Sequence, residues 1–257
     1  MNKLYVVGIG PGAYEEMTLR VVHLLEQSDV IVGYTVYIDL VREHFPGKTF
    51  LSTPMRGEEA RCRMAFEQAR AGRTTAVICS GDPGVYGMAG LVLEIGREFP
   101  ETEIEIVPGV TAAGAGAALL GAPLMHDFAV ISLSDLLTPW EKIEKRLAAA
   151  AAADFVICIY NPGGKNRKDY LKKACELLLP LRSPDTPCGL ARRISREGES
   201  TYLCTLQELR ETPVDMFTTV FIGNSETQMI DGRLVTPRGY RLQANHAQES
   251  ERGGENL

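Results

Sequence analysis

Three glycine-proline turns, each closing a short apolar run, constrain this chain more than any other feature. They are Gly8-Ile9-Gly10-Pro11-Gly12, Ser80-Gly81-Asp82-Pro83-Gly84-Val85-Tyr86-Gly87 and Val107-Pro108-Gly109-Val110-Thr111-Ala112-Ala113. The runs before them, Leu4 to Val7, Ala76 to Cys79 and Ile104 to Val107, are rich in β-branched residues and carry few charges, as strands of a buried parallel sheet do. Open parallel sheets hold ligands just beyond the carboxyl ends of their strands. The turns therefore mark a ligand site as well as a fold class.

The first turn satisfies the dinucleotide fingerprint through Gly8, Gly10 and Ala13, but its surroundings do not. In that fingerprint a helix starts within the glycines and its amides hold a pyrophosphate, whereas Pro11 has no amide hydrogen to give. The next helix start falls at Thr18, an N-cap residue, or slightly earlier near Glu15 and Glu16. The second strand, Val30-Ile31-Val32, ends in Gly33-Tyr34 with no carboxylate to hold a ribose.

Apolar runs near 4–8, 29–33, 75–79 and 104–107 alternate with helical stretches near 15–27, 35–45, 57–72, 87–98 and 111–120, which predicts βα units on a mostly parallel sheet. Gly121-Ala122-Pro123 breaks the alternation and places a domain boundary at about 121–127. A second series follows: strand 128–132, helix 139–153 ending in the alanine run 148–153, strand 154–160, helix 167–179 and strand 187–193. Segments 200–204, 217–223, 226–230 and 233–236 are expected as antiparallel strands at one edge of the second sheet. The chain thus reads as α/β with two domains, 1–124 and 125–242, and a polar tail, 243–257, expected to be disordered.

Charge and composition narrow the function. The 257 residues carry a formal net charge of −6, which disfavours a broad nucleic-acid surface. No apolar run reaches membrane-span length and no signal core opens the chain, so a cytoplasmic protein is expected. The cysteines, Cys62, Cys79, Cys158, Cys175, Cys188 and Cys204, form no C-x-x-C pair, and no metal site is expected from their spacing.

Taken together in this order and at these intervals, the three turns resemble those of the tetrapyrrole (corrin and porphyrin) methyltransferases, over about residues 3–242. The later segments Val130-Ile131-Ser132-Leu133-Ser134-Asp135-Leu136-Leu137-Thr138-Pro139-Trp140 and Ile159-Tyr160-Asn161-Pro162 resemble the branch acting on C17 of precorrin-3B. The resemblance implies two α/β domains with S-adenosylmethionine (SAM) in the cleft between them, and a homodimer. It also implies methylation at C17 of precorrin-3B or cobalt-factor III with ring contraction, in cobalamin biosynthesis. A sister enzyme acting at another corrin or sirohaem carbon shares the same turns and stays open, as does a non-catalytic tetrapyrrole-binding protein.

Residue by residue, the resemblance assigns the cofactor to Pro11, Ser80, Gly81, Asp82, Val85, Thr111, Ala112, Tyr160 and Asn161, with Leu190 and Ala191 bordering the adenosine. Thr111 also reads as a plain helix N-cap. Gly10 and Gly12 fall to the substrate. So do Lys165, Arg167, Arg192 and Arg193, members with Lys168 and Arg196 of two basic loops that would form a positive rim for a many-carboxylate ligand. Ring contraction calls for an acid, for which Asp82, Ser132, Asp135 and His126 are the candidates by location.

Overall fold

The computed structural model describes residues 2–164 and 167–240. Its first sheet is wholly parallel and contains β1 (Asn2–Gly8), β2 (Val30–Tyr34), β3 (Thr49–Thr53), β4 (Thr75–Cys79) and β5 (Thr102–Val107), in the order β3-β2-β4-β1-β5. Helices α1 (Leu19–Gln27), α2 (Thr35–Val41), α3 (Glu58–Arg70) and α4 (Ala89–Gly96) link the strands. Apolar clusters cover both faces, one built on Phe66, Cys62 and Val92, the other on Phe45, Leu25 and Ile38. Before α1 a single 3-10 turn spans Tyr14–Glu16, and the Thr18 hydroxyl then accepts the Val21 amide at 3.3 Å. Both helix starts read from the sequence are therefore present. Strand β3 was not anticipated: as an edge strand with only Phe50 and Leu51 apolar, it shows no buried run.

Strands β4, β1 and β5 are neighbours, so their carboxyl-end turns stand side by side. A Cβ on Gly8 would lie 2.4 Å from the Gly81 oxygen and 2.8 Å from the Gly109 nitrogen; one on Gly109 would lie 2.3 Å from the Gly81 oxygen. Gly10 and Gly81, at φ of 72° and 68°, exchange backbone hydrogen bonds of 3.2 and 2.7 Å. Only glycine lets three backbones approach this closely.

A mixed sheet follows, with β7 (Phe128–Ser132), β8 (Val156–Tyr160), β9 (Pro187–Arg192), β10 (Ser200–Thr205) and β11 (Thr218–Ile222) in the order β10-β9-β11-β8-β7. Strands β7 and β8 pair in parallel, while β11 runs antiparallel between β8 and β9, and β10 antiparallel on β9. The segment expected at the edge, 217–223, is thus central, with every residue of β11 buried. Segments 226–230 and 233–236 lie elsewhere: β12 (Gln228–Ile230) and β13 (Arg233–Val235) form a hairpin through Asp231-Gly232, both at positive φ, and pair with β6 (Gly121–Ala122) in a separate three-stranded sheet. An Asp-Gly pair of this kind favours a two-residue hairpin over continuation of the larger sheet.

One face of the mixed sheet packs on α6 (Trp140–Ala152), α7 (Tyr170–Leu178) and α8 (Leu206–Leu209) through Ile143, Leu147, Leu171, Leu178 and Leu206. The other face is covered by α5 (Ala112–Leu120), whose Ala113, Ala117 and Leu120 meet Cys158, Ala191 and Phe221. Small residues permit the close approach: a Cβ on Gly116 would sit 3.0 Å from both Ile194 and Phe221. The helix that follows the third turn therefore leaves the first sheet and packs on the second. Among the described residues no helix is long and apolar enough to cross a membrane.

The three-turn contact predicts that Gly8→Ala costs about 1–3 kcal/mol through forced backbone displacement, read as a melting-temperature loss of several degrees. Gly90→Ala, with open space around its Cβ in α4, should instead be neutral or slightly stabilising. Equal losses from the two would discard the close-contact account.

All six cysteines are free and buried. Burial pushes the thiols of Cys62, Cys175 and Cys204 up to about 12 and that of Cys79 to about 11, and raises Cys158 and Cys188 as well. In the unfolded chain they ionise near pH 8.5. Their contribution to stability is therefore fully present below that pH and is lost as pH rises toward the folded values, by up to about 1.4 kcal/mol per pH unit for each thiol. Urea unfolding under reducing conditions should show a plateau to about pH 8 and a steep decline above pH 9.

Candidate active site

A cavity of about 200 Å³ opens where the turns of the first sheet face the ends of β8, β9 and β11. The first sheet contributes Pro11, Tyr37 and the segment Ser80, Gly81, Asp82, Val85 and Tyr86; the third turn adds Thr111 and Ala112. From the mixed sheet come Tyr160 and Asn161, Arg193, Ile194 and Arg196, and the stretch Met216 to Thr219.

Asp82 braces the turns. One carboxylate oxygen accepts the Gly84 amide at 2.7 Å, an Asx turn, while the other accepts the Gly109 amide at 3.0 Å and so ties the second turn to the third. Tyr86, at φ 55°, stretches across to the edge of the mixed sheet, where its hydroxyl donates to the Val130 carbonyl and accepts the Ser132 amide, both at 3.1 Å.

Tyr160 supplies the link on the far side. Its hydroxyl accepts the buried Ala113 amide at 2.6 Å and lies 2.6 Å from the Thr111 hydroxyl. The Thr111 side chain does not cap its own helix; a tyrosine from β8 satisfies the second amide of α5 in its place. Burial pushes the Tyr160 hydroxyl up to about 12, only partly offset by the Thr111 contact, so the phenol keeps its proton at neutral pH.

The loop after β9 closes over the first sheet. Ser195 donates to the Glu16 carboxylate at 2.6 Å, and Arg196 donates to the Pro11 carbonyl at 2.7 Å and to the Ser80 hydroxyl at 2.9 Å. Its guanidinium carbon stands 5.9 Å from the centre of the Tyr37 ring.

Of the residues assigned from the sequence, Pro11, Ser80, Gly81, Asp82, Val85, Thr111, Ala112, Tyr160, Asn161 and Arg193 line this cavity. The others lie elsewhere. Gly10 and Gly12 are buried and do not line it. Leu190 and Ala191 point into core contacts on either face of β9, and Arg193 and Ile194, a few residues further along, reach the cavity instead. Arg192 pairs with Asp215 at 2.7 Å and Arg167 donates to Ser134 at 2.5 Å, so neither stands in this cavity as a rim cation. Lys165 and the tail 243–257 fall outside the described residues. Among the proposed acids only Asp82 lines the cavity. Ser132 accepts Asn161 at 2.9 Å, Asp135 accepts Tyr170 at 2.6 Å, and His126 faces Glu226 at 3.6 Å.

Sequence reasoning missed Tyr37, Tyr86, Ile194 and Met216 to Thr219. A search for strand carboxyl ends cannot find the last group, because β11 is antiparallel and presents its amino end here. Tyr37 follows the end of β2 by one turn of α2, a position the strand-end rule could have found.

The sequence and these turns define a methylase. The family model of the tetrapyrrole (corrin/porphyrin) methylases matches residues 3–210, and the chain belongs to that family. Among curated relatives it is 48% identical to the probable cobalt-factor III C(17)-methyltransferase of Salmonella typhimurium, covering 93% of this chain and all of that protein. It is 46% identical to the cobalt-factor III methyltransferase of Priestia megaterium over 93% of this chain but only 45% of that longer protein. A crystal structure of the methyltransferase CobJ superposes with a TM-score of 0.84 at 36% identity, covering 92% of this chain and all of that one.

The Tyr160 contact predicts that Tyr160→Phe leaves the Ala113 amide without an acceptor and lowers folding stability by about 1–3 kcal/mol. Urea unfolding measures it; an unchanged midpoint would mean that the amide does not depend on the phenol.

Proposed function

We propose that the chain methylates C17 of cobalt-factor III, or of its metal-free counterpart precorrin-3B, with contraction of the ring, in cobalamin biosynthesis, and that SAM is the methyl donor. The observation that carries this is the cavity between the glycine turns and the end of β8, in a chain that aligns over the full length of the Salmonella protein so named. The residues present suit SAM. A Cβ on Gly81 would project to within 3.7–3.9 Å of Thr111, Ala112 and Val110, so its absence leaves room for a ligand lying against the backbone of both turns. Polar Ser80 and Thr111 alternate around the cavity with apolar Val85, Ala112 and Met216, matching a ligand with charged, sulfur and ring portions.

When bound, SAM supplies an electrophilic methyl group on a sulfonium. The chain's part is positioning, which contributes roughly 7–11 kcal/mol when it converts an encounter into a near-attack pose. Gly81, Thr111 and Ala112 would form the floor, and Tyr160, held protonated, would keep Thr111 and the start of α5 in place. Asp82 serves as the brace between turns, both oxygens being engaged by amides. We further propose that the chain divides into two domains, with α5 counted with the second, and acts as a cytoplasmic homodimer.

Incubation with methyl-labelled SAM and each macrocycle, followed by mass spectrometry and NMR, should place one label on C17 of a contracted ring. A label on another carbon, or a methylated but uncontracted ring, would reassign the chain to a sister enzyme. Gly81→Ala, whose Cβ would meet neighbours at 3.7–3.9 Å but sit at a φ of 68°, should weaken SAM binding by calorimetry, with circular dichroism checking that the variant remains folded.

A further inference from the structure

The positive charge that lines the cavity comes from two arginines of one loop, and neither has an acid partner among the described residues. Arg196 is half-buried; its two described hydrogen bonds go to a carbonyl and a hydroxyl, and its charged surroundings are Tyr37 and a second cation, Arg193. Burial draws the Arg196 guanidinium down from its ordinary value, and Arg193 adds to that. Among the described residues Arg193 itself donates to the Glu197 carbonyl alone, at 3.3 Å, and stands 6.0 Å from the Phe217 ring. Of the other cationic residues expected at the rim and described, Arg192 is paired with Asp215, Arg167 is bonded to Ser134, and Lys168 is exposed and does not line the cavity. Two neighbouring guanidinium groups, one of them partly desolvated, are costly unless an anion joins them. Tyr37 and Ser80 bring hydroxyls to the same wall. The chain also reserves space for this arrangement: a Cβ on Gly12 would fall 2.5 Å from Cγ and 2.7 Å from Nε of Arg196.

We propose that Arg196, with Arg193 beside it, anchors a carboxylate of the ligand that fills this cavity. The inference rests on the methyl-transfer reading only for the identity of that ligand. Two sources share the chemistry, the amino-acid carboxylate of SAM and a peripheral carboxylate of the macrocycle. A guanidinium fork suits either, since it meets a carboxylate with two parallel hydrogen bonds.

The test uses the full chain and its Arg196→Gln, Arg193→Gln and Gly12→Ala variants. Calorimetry would measure S-adenosylhomocysteine and methylthioadenosine, which lacks the amino-acid end; fluorescence quenching would measure uroporphyrin, a stable porphyrin bearing many carboxylates. Arg196→Gln and Gly12→Ala should weaken one carboxylate ligand about 10- to 100-fold, as loss of a charge-assisted hydrogen bond does, and Arg193→Gln should weaken the same ligand less. Methylthioadenosine should bind all four proteins alike. Loss confined to S-adenosylhomocysteine assigns the cofactor carboxylate; loss confined to uroporphyrin assigns the macrocycle. Unchanged affinity for both ligands in Arg196→Gln overturns the proposal, and if that variant does not fold, unchanged affinity in Gly12→Ala and Arg193→Gln does so. Should the unmodified chain bind neither ligand, the methyl-transfer reading fails, and thermal stabilisation by succinate decides the arginine pair separately. A shift in the unmodified chain that Arg196→Gln, or otherwise Gly12→Ala, abolishes supports the anchor, and an equal response overturns it.

Discussion

The structure depends on three backbones meeting without side chains between them. Gly8, Gly81 and Gly109 stand at the ends of adjacent parallel strands; a Cβ on Gly8 or Gly109 would collide with another's peptide group, and Gly81 holds a φ of 68° that brings its carbonyl against both. Interiors are packed closely enough that a methyl group inserted here must move main chain rather than a rotamer. The same contact borders the site: Gly81 lines the cavity, and Asp82 locks two of the turns together through the Gly84 and Gly109 amides. Stability and ligand access at this end of the sheet have a common cause.

The opposite wall reaches back by polar side chains rather than by packing. Tyr160 satisfies an amide of α5, Tyr86 bonds the edge of β7, and Arg196 and Ser195 bond Pro11, Ser80 and Glu16. Polar ties of this kind are modest individually, on the order of 1 kcal/mol each, and directional. They fix the relative placement of the two walls where an apolar contact would only hold them near.

Much of this was legible in the chain. Parallel strands announce themselves by continuous β-branched runs, and the turns that end β1, β4 and β5 lie together because the strands do, so residues chosen at those turns share one cavity. Legibility failed where the signal depended on neighbours. β3 is a half-exposed edge with two apolar residues. β11 contains Thr218 and Thr219, yet is buried on both sides and runs against its neighbours, which brings Met216 to Thr219 to the site from an unexpected direction. Cations resisted prediction most. Arg192, Arg193 and Arg196 look alike in the sequence; Asp215, out of sight in the chain, pairs the first and leaves the other two to the cavity.

Helix α5 also carries a consequence for how the molecule is made. It is among the most apolar helices of the chain, small-faced and directly after the last strand of the first sheet, yet its partners are β9 and β11. During synthesis the parallel sheet can close as soon as β5 emerges, whereas α5 has no surface to cover until the final strands of the mixed sheet exist. Those strands also bring Arg193, Arg196 and Met216 to Thr219. The cavity can therefore form only once β11 has emerged, well after the parallel sheet, and a chain cut short of it exposes a greasy helix where the finished one has a binding site.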